Sequence, residues 1–416
     1  MSPTRRAAAL LALVAVAAVL LPVSIAVLAV VAVLAASVVD AFSVRGRLVV
    51  ARSVAPVVSR GIPSPLTISV VGPRTGAVAV RQPMPAAVLL TPDESDDELA
   101  ASLVPRRRGR YRLEAPVLRR TGPLGLGRWD HTVDVAPVEF AVFPDLVAAR
   151  RIVSRIRRGR FGNAGRQARG PLGLGTEFEL IREYAPDDDI RQVNWRATAR
   201  AGRPMSNQYR VEQDRDVVVL LDMGRLMSAP VGDRTRLDVA VDVMTALGLV
   251  ADELGDRFGV IAFDDAVQRR VTPRRNGGAA AVRTCFDVQP RPVDSDFVAA
   301  CGAVGGSKRA LVMVLTDLLD ASAAASLVDA VPTLTRRHAV VVASVRDPDI
   351  AVMTRREPAT AFAVYEASVA ASVLAARDRA AARLRAVGAT TVDGTPDGLS
   401  AACVEAYLSL KARARL

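Results

Sequence analysis

Asp216-Val217-Val218-Val219-Leu220-Leu221-Asp222 decides the fold of the C-terminal half: an unbroken apolar run, rich in Val, closed at each end by a carboxylate. A strand with one wet face alternates apolar and polar residues, whereas an uninterrupted apolar run belongs to a strand covered on both faces. Toward the C-terminus, Leu237, Ala240, Val241, Met244, Leu247, Gly248, Ala251 and Leu254 recur at helical spacing. Further apolar runs follow at Phe258–Phe263, Ala310–Leu315 and Ala339–Val345. An Ala-rich helix over Ala361–Val387, a strand near Ala389–Val392 and a last helix from about Asp397 complete the pattern. Strands alternating with helices predict a mostly parallel sheet with helices on both faces, over residues 214–416. In such sheets ligands sit at the carboxyl ends of the strands. That directs attention to Asp222 and to Asp317, just beyond Leu315.

Immediately upstream, residues 176–213 mix alternating charges with Phe178, Tyr184 and Trp195. Arg pairs bidentately with carboxylates and stacks on rings, so this segment is expected to be an ordered clasp. Its residues closely resemble the signature of the bacterial "domain of unknown function 58" family. The resemblance rests on Glu177-Phe178, Arg182 and Tyr184, a turn with Asp188, Asp189 and Arg191, then Asn194-Trp195 and Thr198-Ala199-Arg200. Asp187 stands where that family has Gly. Arg108-Gly109-Arg110-Tyr111 and Pro123-Leu124-Gly125-Leu126 match two further family positions. The resemblance implies two apolar spans, a β domain and a von Willebrand factor type A-like domain. It also implies a MoxR-type AAA+ ATPase as partner, in assembly or remodelling of envelope-associated complexes.

A type A metal site has the form Asp-x-Ser-x-Ser with a Thr and an Asp from later loops, whose oxygens hold a hard cation such as Mg²⁺. Here the stretch is Asp222-Met223-Gly224-Arg225-Leu226. Gly224 and Leu226 supply no side-chain oxygen, and Arg225 adds positive charge. The expectation is a degenerate site with no metal and no cofactor. Two uses of the remaining carboxylates stay open: Asp222 and Asp317 pair with Arg225 as a structural cluster, or the Asp222, Arg225 and Asp317 face receives a partner's basic residue.

At the other end of the chain, Ala7 to Val39 holds no charged residue. As one helix it would be roughly 50 Å long, against a hydrocarbon core of ~30 Å. Pro22 divides it, and Arg5, Arg6 before it and Arg45, Arg47 and Arg52 after it flank it with positive charge. A secretory signal has a much shorter apolar region. A helical hairpin within residues 1–44 and a single kinked span both fit, and the flanks favour the hairpin with both ends cytoplasmic. The expected location is the inner or plasma membrane, with cytoplasmic soluble domains.

Residues 45–145 carry short β-branched runs separated by Pro, Gly and acidic turns, which predicts a β-sandwich-like domain with Asp93–Glu98 as a solvated loop. From 146 to 175 the chain reads as an Arg/Gly-rich linker, its first part, Leu146–Arg158, a short basic helix. Such a polybasic stretch fits either a plain linker or contact with acidic headgroups.

The net charge of +12 comes mainly from Arg, while aromatics make up 4% and do not interleave with the Arg runs, so single-strand nucleic-acid binding is not expected. Cys285, Cys301 and Cys403 show no metal spacing and read as free thiols, and His131 and His338 sit in Val-rich runs with no nucleophile beside them. There is no phosphate loop and no Gly-x-Ser-x-Gly. The sequence therefore points to a membrane-anchored protein-interaction adaptor with no small-molecule substrate, not an enzyme. The alternative is an extracytoplasmic adhesion-type binding protein.

Overall fold

Pro22 has no backbone donor and a fixed φ, and it splits the N-terminal apolar stretch into two helices. The computed structural model describes residues 2–20, 22–71, 77–133, 135–158, 172–185, 190–210, 215–305, 308–318, 321–355, 357 and 359–412. These fall into two units, Met1–Phe143 and Pro144–Leu416.

In the first unit, β1 (Ser2–Pro3) leads into α1 (Arg5–Ala17), and α2 (Val23–Ser43) follows. Among the described residues α2 is the one helix long and apolar enough to cross a membrane. Both ends of the apolar stretch return to the loop that carries Pro123-Leu124-Gly125-Leu126. The Thr4 hydroxyl donates to the Gly125 carbonyl (2.5 Å). The Asp40 carboxylate accepts from the amides of Leu124 (2.9 Å), Leu126 (2.8 Å) and Gly127 (2.9 Å). A Cβ on Gly127 would stand 2.1 Å from the Ser37 carbonyl, so only glycine lets the loop approach α2 this closely. Beside this foot, Phe42 tilts against Trp129 at 5.4 Å between ring centroids, with the Arg45 guanidinium over both rings.

The strands that follow are β2 (Val49–Val54), β3 (Val57–Ser59), β4 (Ser64–Val71), β5 (Val78–Arg81), β6 (Val88–Thr91), β7 (Glu94–Asp96), β8 (Glu98–Pro105), β9 (Gly109–Leu113), β10 (Val117–Thr121), β11 (Gly127–Thr132) and β12 (Val138–Phe143). They form sheets ordered β2-β4-β8-β6, β3-β12-β9 and β1-β11-β10-β5-β7. In β4 the period-2 pattern buries Leu66, Ile68 and Val70, which meet Leu99, Leu103, Leu113, Leu118 and Phe140 in one core. The acidic run corrects one expectation. Glu94–Asp96 is an edge strand paired with β5, not a loop, and Asp97 leaves it at φ +61°. Charge on an edge strand discourages pairing with other chains, so acids fit there.

In the second unit, α3 (Leu146–Arg157) precedes a hairpin of β13 (Leu172–Glu183) and β14 (Met205–Arg210), with α4 (Trp195–Ala201) between them. Next come β15 (Asp216–Asp222), the short pair β16 (Pro230–Val231) and β17 (Arg234–Thr235), and α5 (Arg236–Glu253). Then follow β18 (Arg257–Phe263), β19 (Val267–Arg274), α6 (Gly277–Cys285), α7 (Phe297–Val304), β20 (Ala310–Leu315), α8 (Ala321–Thr335), β21 (Ala339–Val345), α9 (Pro348–Arg355), α10 (Ala361–Ala386), β22 (Thr390–Gly394) and α11 (Leu399–Ala412). The sheet order is β19-β18-β15-β20-β21-β22, parallel throughout except for the antiparallel edge strand β19. Alternate residues of β15 face opposite layers. Val217, Val219 and Leu221 pack with α5, α6 and α11, while Val218 and Leu220 pack with α7, α8 and α10.

Two expectations are corrected here. The basic stretch from Leu146 is not linker at its start, because α3 buries Ala149 and Ile152 in the α/β core. Its arginines conceal an apolar stripe at helical spacing. Trp195, one of the three rings of the expected clasp, is not packed into it: it is 70% exposed, at the first turn of α4.

Candidate functional site

The carboxyl ends of β15 and β20 bring Asp222, Thr316 and Asp317 together, all nearly buried. The loop before α7 adds Ser295. Its hydroxyl donates to Asp222 Oδ1 (2.5 Å), the Thr316 hydroxyl donates to Asp222 Oδ2 (2.5 Å), and the Gly224 amide donates to Oδ1 (2.8 Å). Burial pushes the Asp222 carboxyl above its ordinary range, and these donors only partly offset it. A Cβ on Gly224 would stand 2.1 Å from Ser295 Oγ, so the absence of a side chain at 224 is what admits that hydroxyl. Leu226 lies in a short 3-10 turn over Arg225–Ser228 and is half-buried.

The cation that meets Asp317 is Arg236, the first residue of α5, and the pair is buried on both sides. Arg377 of α10 lies close enough to act on the same carboxylate, and its guanidinium donates to the Val345 carbonyl (2.7 Å) and the Ser344 hydroxyl (2.8 Å). Burial pushes Asp317 up, against the pull of Arg236 and Arg377. Arg225, expected to pair with Asp222 and Asp317, instead forms an ion pair with Asp294 (2.5 Å) at the surface. The reason is positional: a residue beginning a surface turn points outward, while the first residue of α5 is directed at the strand ends. Arg225, Leu226, Val293, Asp294, Ser295 and Phe297 surround a pocket of about 210 Å³ with Asp222 at its floor. Nearby, burial would raise Asp264, but hydrogen bonds from Gln268, the Ala266 amide and Arg291 outweigh it and hold the carboxyl low.

The sequence pointed to Asp222, Arg225 and Asp317 but not to Ser295 or Arg236. A signal for Arg236 was present. Thr235 and Asp238 form a capping box, which fixes Arg236 as the first helical residue. Ser295 lies between Asp294 and Asp296 in a loop whose path depends on the fold.

The signature residues form a separate group. Glu177 and Phe178 lie on β13, in register with Arg210 and Tyr209. Arg182 donates to the Glu183 carbonyl (3.0 Å), and the Tyr184 amide to the Pro204 carbonyl (2.9 Å). Asp187, Asp188 and Asp189 lie outside the described residues, and Arg191 falls in a 3-10 turn over Ile190–Gln192. Asn194 caps α4 by accepting from the Ala197 amide (2.9 Å) and donates to Asn207 Oδ1 (2.8 Å). Thr198 Oγ1 accepts from the Met205 amide (3.0 Å), while Ala199 and Arg200 lie in the last turn of α4. Asn194 and Thr198 thus staple α4 to β14.

Residues 180–356 match the model of a family described as "Protein of unknown function DUF58". Uncharacterized proteins of Mycobacterium tuberculosis and Mycobacterium bovis are each 25% identical over 182 residues, covering 42% of this chain and 56% of the relative. The chain thus matches only about half the length of these relatives. An uncharacterized membrane-spanning protein from Vibrio fischeri aligns over 48% of this chain and 99% of its own, at 10% identity and a TM-score of 0.17.

Proposed function

We propose that this chain is a membrane-anchored binding protein, not an enzyme, whose α/β unit is a type A-like module that docks a protein partner at its strand-end face. The observation that carries the reading is the fate of the two carboxylates. Asp222 is taken up by Ser295, Thr316 and Gly224, and Asp317 by Arg236. The donor set does not fit a type A metal: positions 224 and 226 offer no side-chain oxygen, and an internal guanidinium holds the later carboxylate. With Asp222 held by neutral donors and Asp317 by an internal cation, such a face recognises a partner by shape and by the exposed charges of Arg225 and Asp294. Complementary charge of this kind sets specificity and association rate more than affinity. The partner class implied by the family resemblance is a MoxR-type AAA+ ATPase, acting on envelope-associated complexes from the cytoplasmic side.

The test is co-purification from the native membrane, with an AAA+ ATPase identified by mass spectrometry and then bound to the full chain in purified form. Arg225→Glu reverses an exposed charge and is expected to leave the melting temperature nearly unchanged while weakening that binding about tenfold or more. Undiminished binding by Arg225→Glu would move the docking face elsewhere. Recovery of no ATPase by the wild-type chain would remove the adaptor reading.

A further inference from the structure

The parallel strands of the α/β unit start level with one another: Asp216 lies opposite Arg257 and Ala310, and Leu311 opposite Ala339. Helices that return across such a sheet end at the same pole. Lys308 and Arg309 precede β20 there, Arg336 and Arg337 follow α8, and Arg383 and Arg385 end α10. All six are exposed. Their clustering has direct support. A Cβ on Gly388, just after α10, would touch Thr335 at the end of α8 (3.6 Å). Arg309 and Arg337 both act on buried His338, whose Nδ1 accepts the Ala310 amide (3.2 Å). Among the described residues none of the six forms an ion pair with a carboxylate. The opposite pole differs, since Arg225, Arg236, Arg291 and Arg346 there each meet an Asp. At the strand-start pole Arg257 and Lys411 also meet acids, Asp216 and Asp256, but the six named cations are left for an outside anion.

We propose that this basic pole rests on the phosphate headgroups of an anionic bilayer and holds the α/β unit against the membrane. The inference rests on α2 acting as a membrane anchor and concerns a surface other than the docking face. Two features favour lipid over other polyanions. Segments 308–310, 335–338 and 383–388 contain no Phe, Tyr or Trp on which nucleic-acid bases would stack. An anchor in the same chain also keeps the unit within reach of headgroups, where even a modest attraction per Lys or Arg is effective.

The experiment is hydrogen exchange on the full chain in nanodiscs of neutral phosphatidylcholine or of phosphatidylcholine with phosphatidylglycerol. Amides around 334–339 and 384–389 are expected to exchange on the order of tenfold more slowly in anionic discs, with the difference erased by high salt. The variant Lys308→Glu/Arg309→Glu/Arg336→Glu/Arg337→Glu is expected to lose that protection while keeping its circular dichroism. If it misfolds, the lipid and salt dependence of the wild-type chain decides alone. Equal exchange in both discs overturns the proposal. So does protection conferred in neutral discs by an oligonucleotide or polyglutamate but not by phosphatidylglycerol. A chain that fails to enter discs removes the anchor reading, and this inference with it, whereas one that enters them without lipid-dependent protection fails on the inference alone.

Discussion

Gly224 shows how much a missing side chain can determine. Because a Cβ there would collide with Ser295 Oγ, Gly224→Ser does not rebuild a cation site; it displaces a hydroxyl from a buried carboxylate. We expect it to lower stability by about 1–3 kcal/mol, with much of that loss recovered in Gly224→Ser/Ser295→Gly, measured by urea denaturation. Equal losses in single and double variants would show that Ser295 is not what position 224 accommodates. Asp222 gives a second prediction, through pH. Its folded pKa lies above the ordinary 3.8, so the native state binds more protons than the unfolded chain once pH passes that value, and stability from this group falls as pH rises. Asp222→Asn removes the titration. The stability of wild type relative to Asp222→Asn should therefore shrink as pH climbs from about 4 through the raised folded value. A flat or rising difference would mean that the hydroxyl and amide donors win over burial. The sequence located this carboxylate from its place at a strand end, but not its Ser295 donor, because that contact joins loops far apart in the chain.

Elements with unbroken periodicity were legible and those with mixed faces were not. The buried strands Asp216–Asp222, Ala310–Leu315 and Ala339–Val345 lie where their apolar runs predicted. The edge strand β19 was missed because its residues are exposed or half-buried and Arg-rich, so it offers no apolar run. The basic helix α3 lies where the sequence expects one, but its four arginines mask the apolar stripe that makes it part of the core instead of the linker. That correction is testable: Ile152→Ala should destabilise the α/β unit by about 2–4 kcal/mol, while exposed Arg151→Ala should stay near neutral in the same melts. If Ile152→Ala proves silent, α3 is linker after all. Exposure of Trp195 has its own consequence: Trp195→Ala should change stability by less than about 1 kcal/mol, far below the loss of a buried indole. A larger loss would mean that the ring is covered in the native protein. The Pro123-Leu124-Gly125-Leu126 motif was recognisable only as a pattern. Its physical role, presenting backbone amides to Asp40 and Thr4 at the foot of the apolar helices, depends on a contact across more than eighty residues that no local signal carries.

At the scale of the whole molecule, the question is which side of a membrane the two units occupy. A chain that returns both ends of its apolar stretch to one loop keeps residues before and after that stretch on the same side, provided the pair of helices enters the bilayer as a hairpin. Asp40 makes such a foot expensive to open, because three backbone amides lose their acceptor together. By the positive-inside rule the flanks Arg5, Arg6, Arg45, Arg47 and Arg52 favour the cytoplasm as that shared side, and this orientation is the proposal to be tested. The native cysteines are all buried, so exposed single cysteines report position with little background. Glu94→Cys in the first unit and Ala382→Cys in the second both lie at exposed positions. In intact cells both should resist a membrane-impermeant maleimide, and both should label once the membrane is permeabilised. Labelling of both in intact cells would put the units outside and favour the adhesion-type reading over the adaptor. A third variant separates the hairpin from a single span: Ser2→Cys should share the protection of Glu94→Cys if the helices return on themselves. A single crossing would leave Ser2→Cys and Glu94→Cys on opposite sides, one labelled in intact cells and the other not, and the foot formed by Thr4 and Asp40 would then have to open in the membrane.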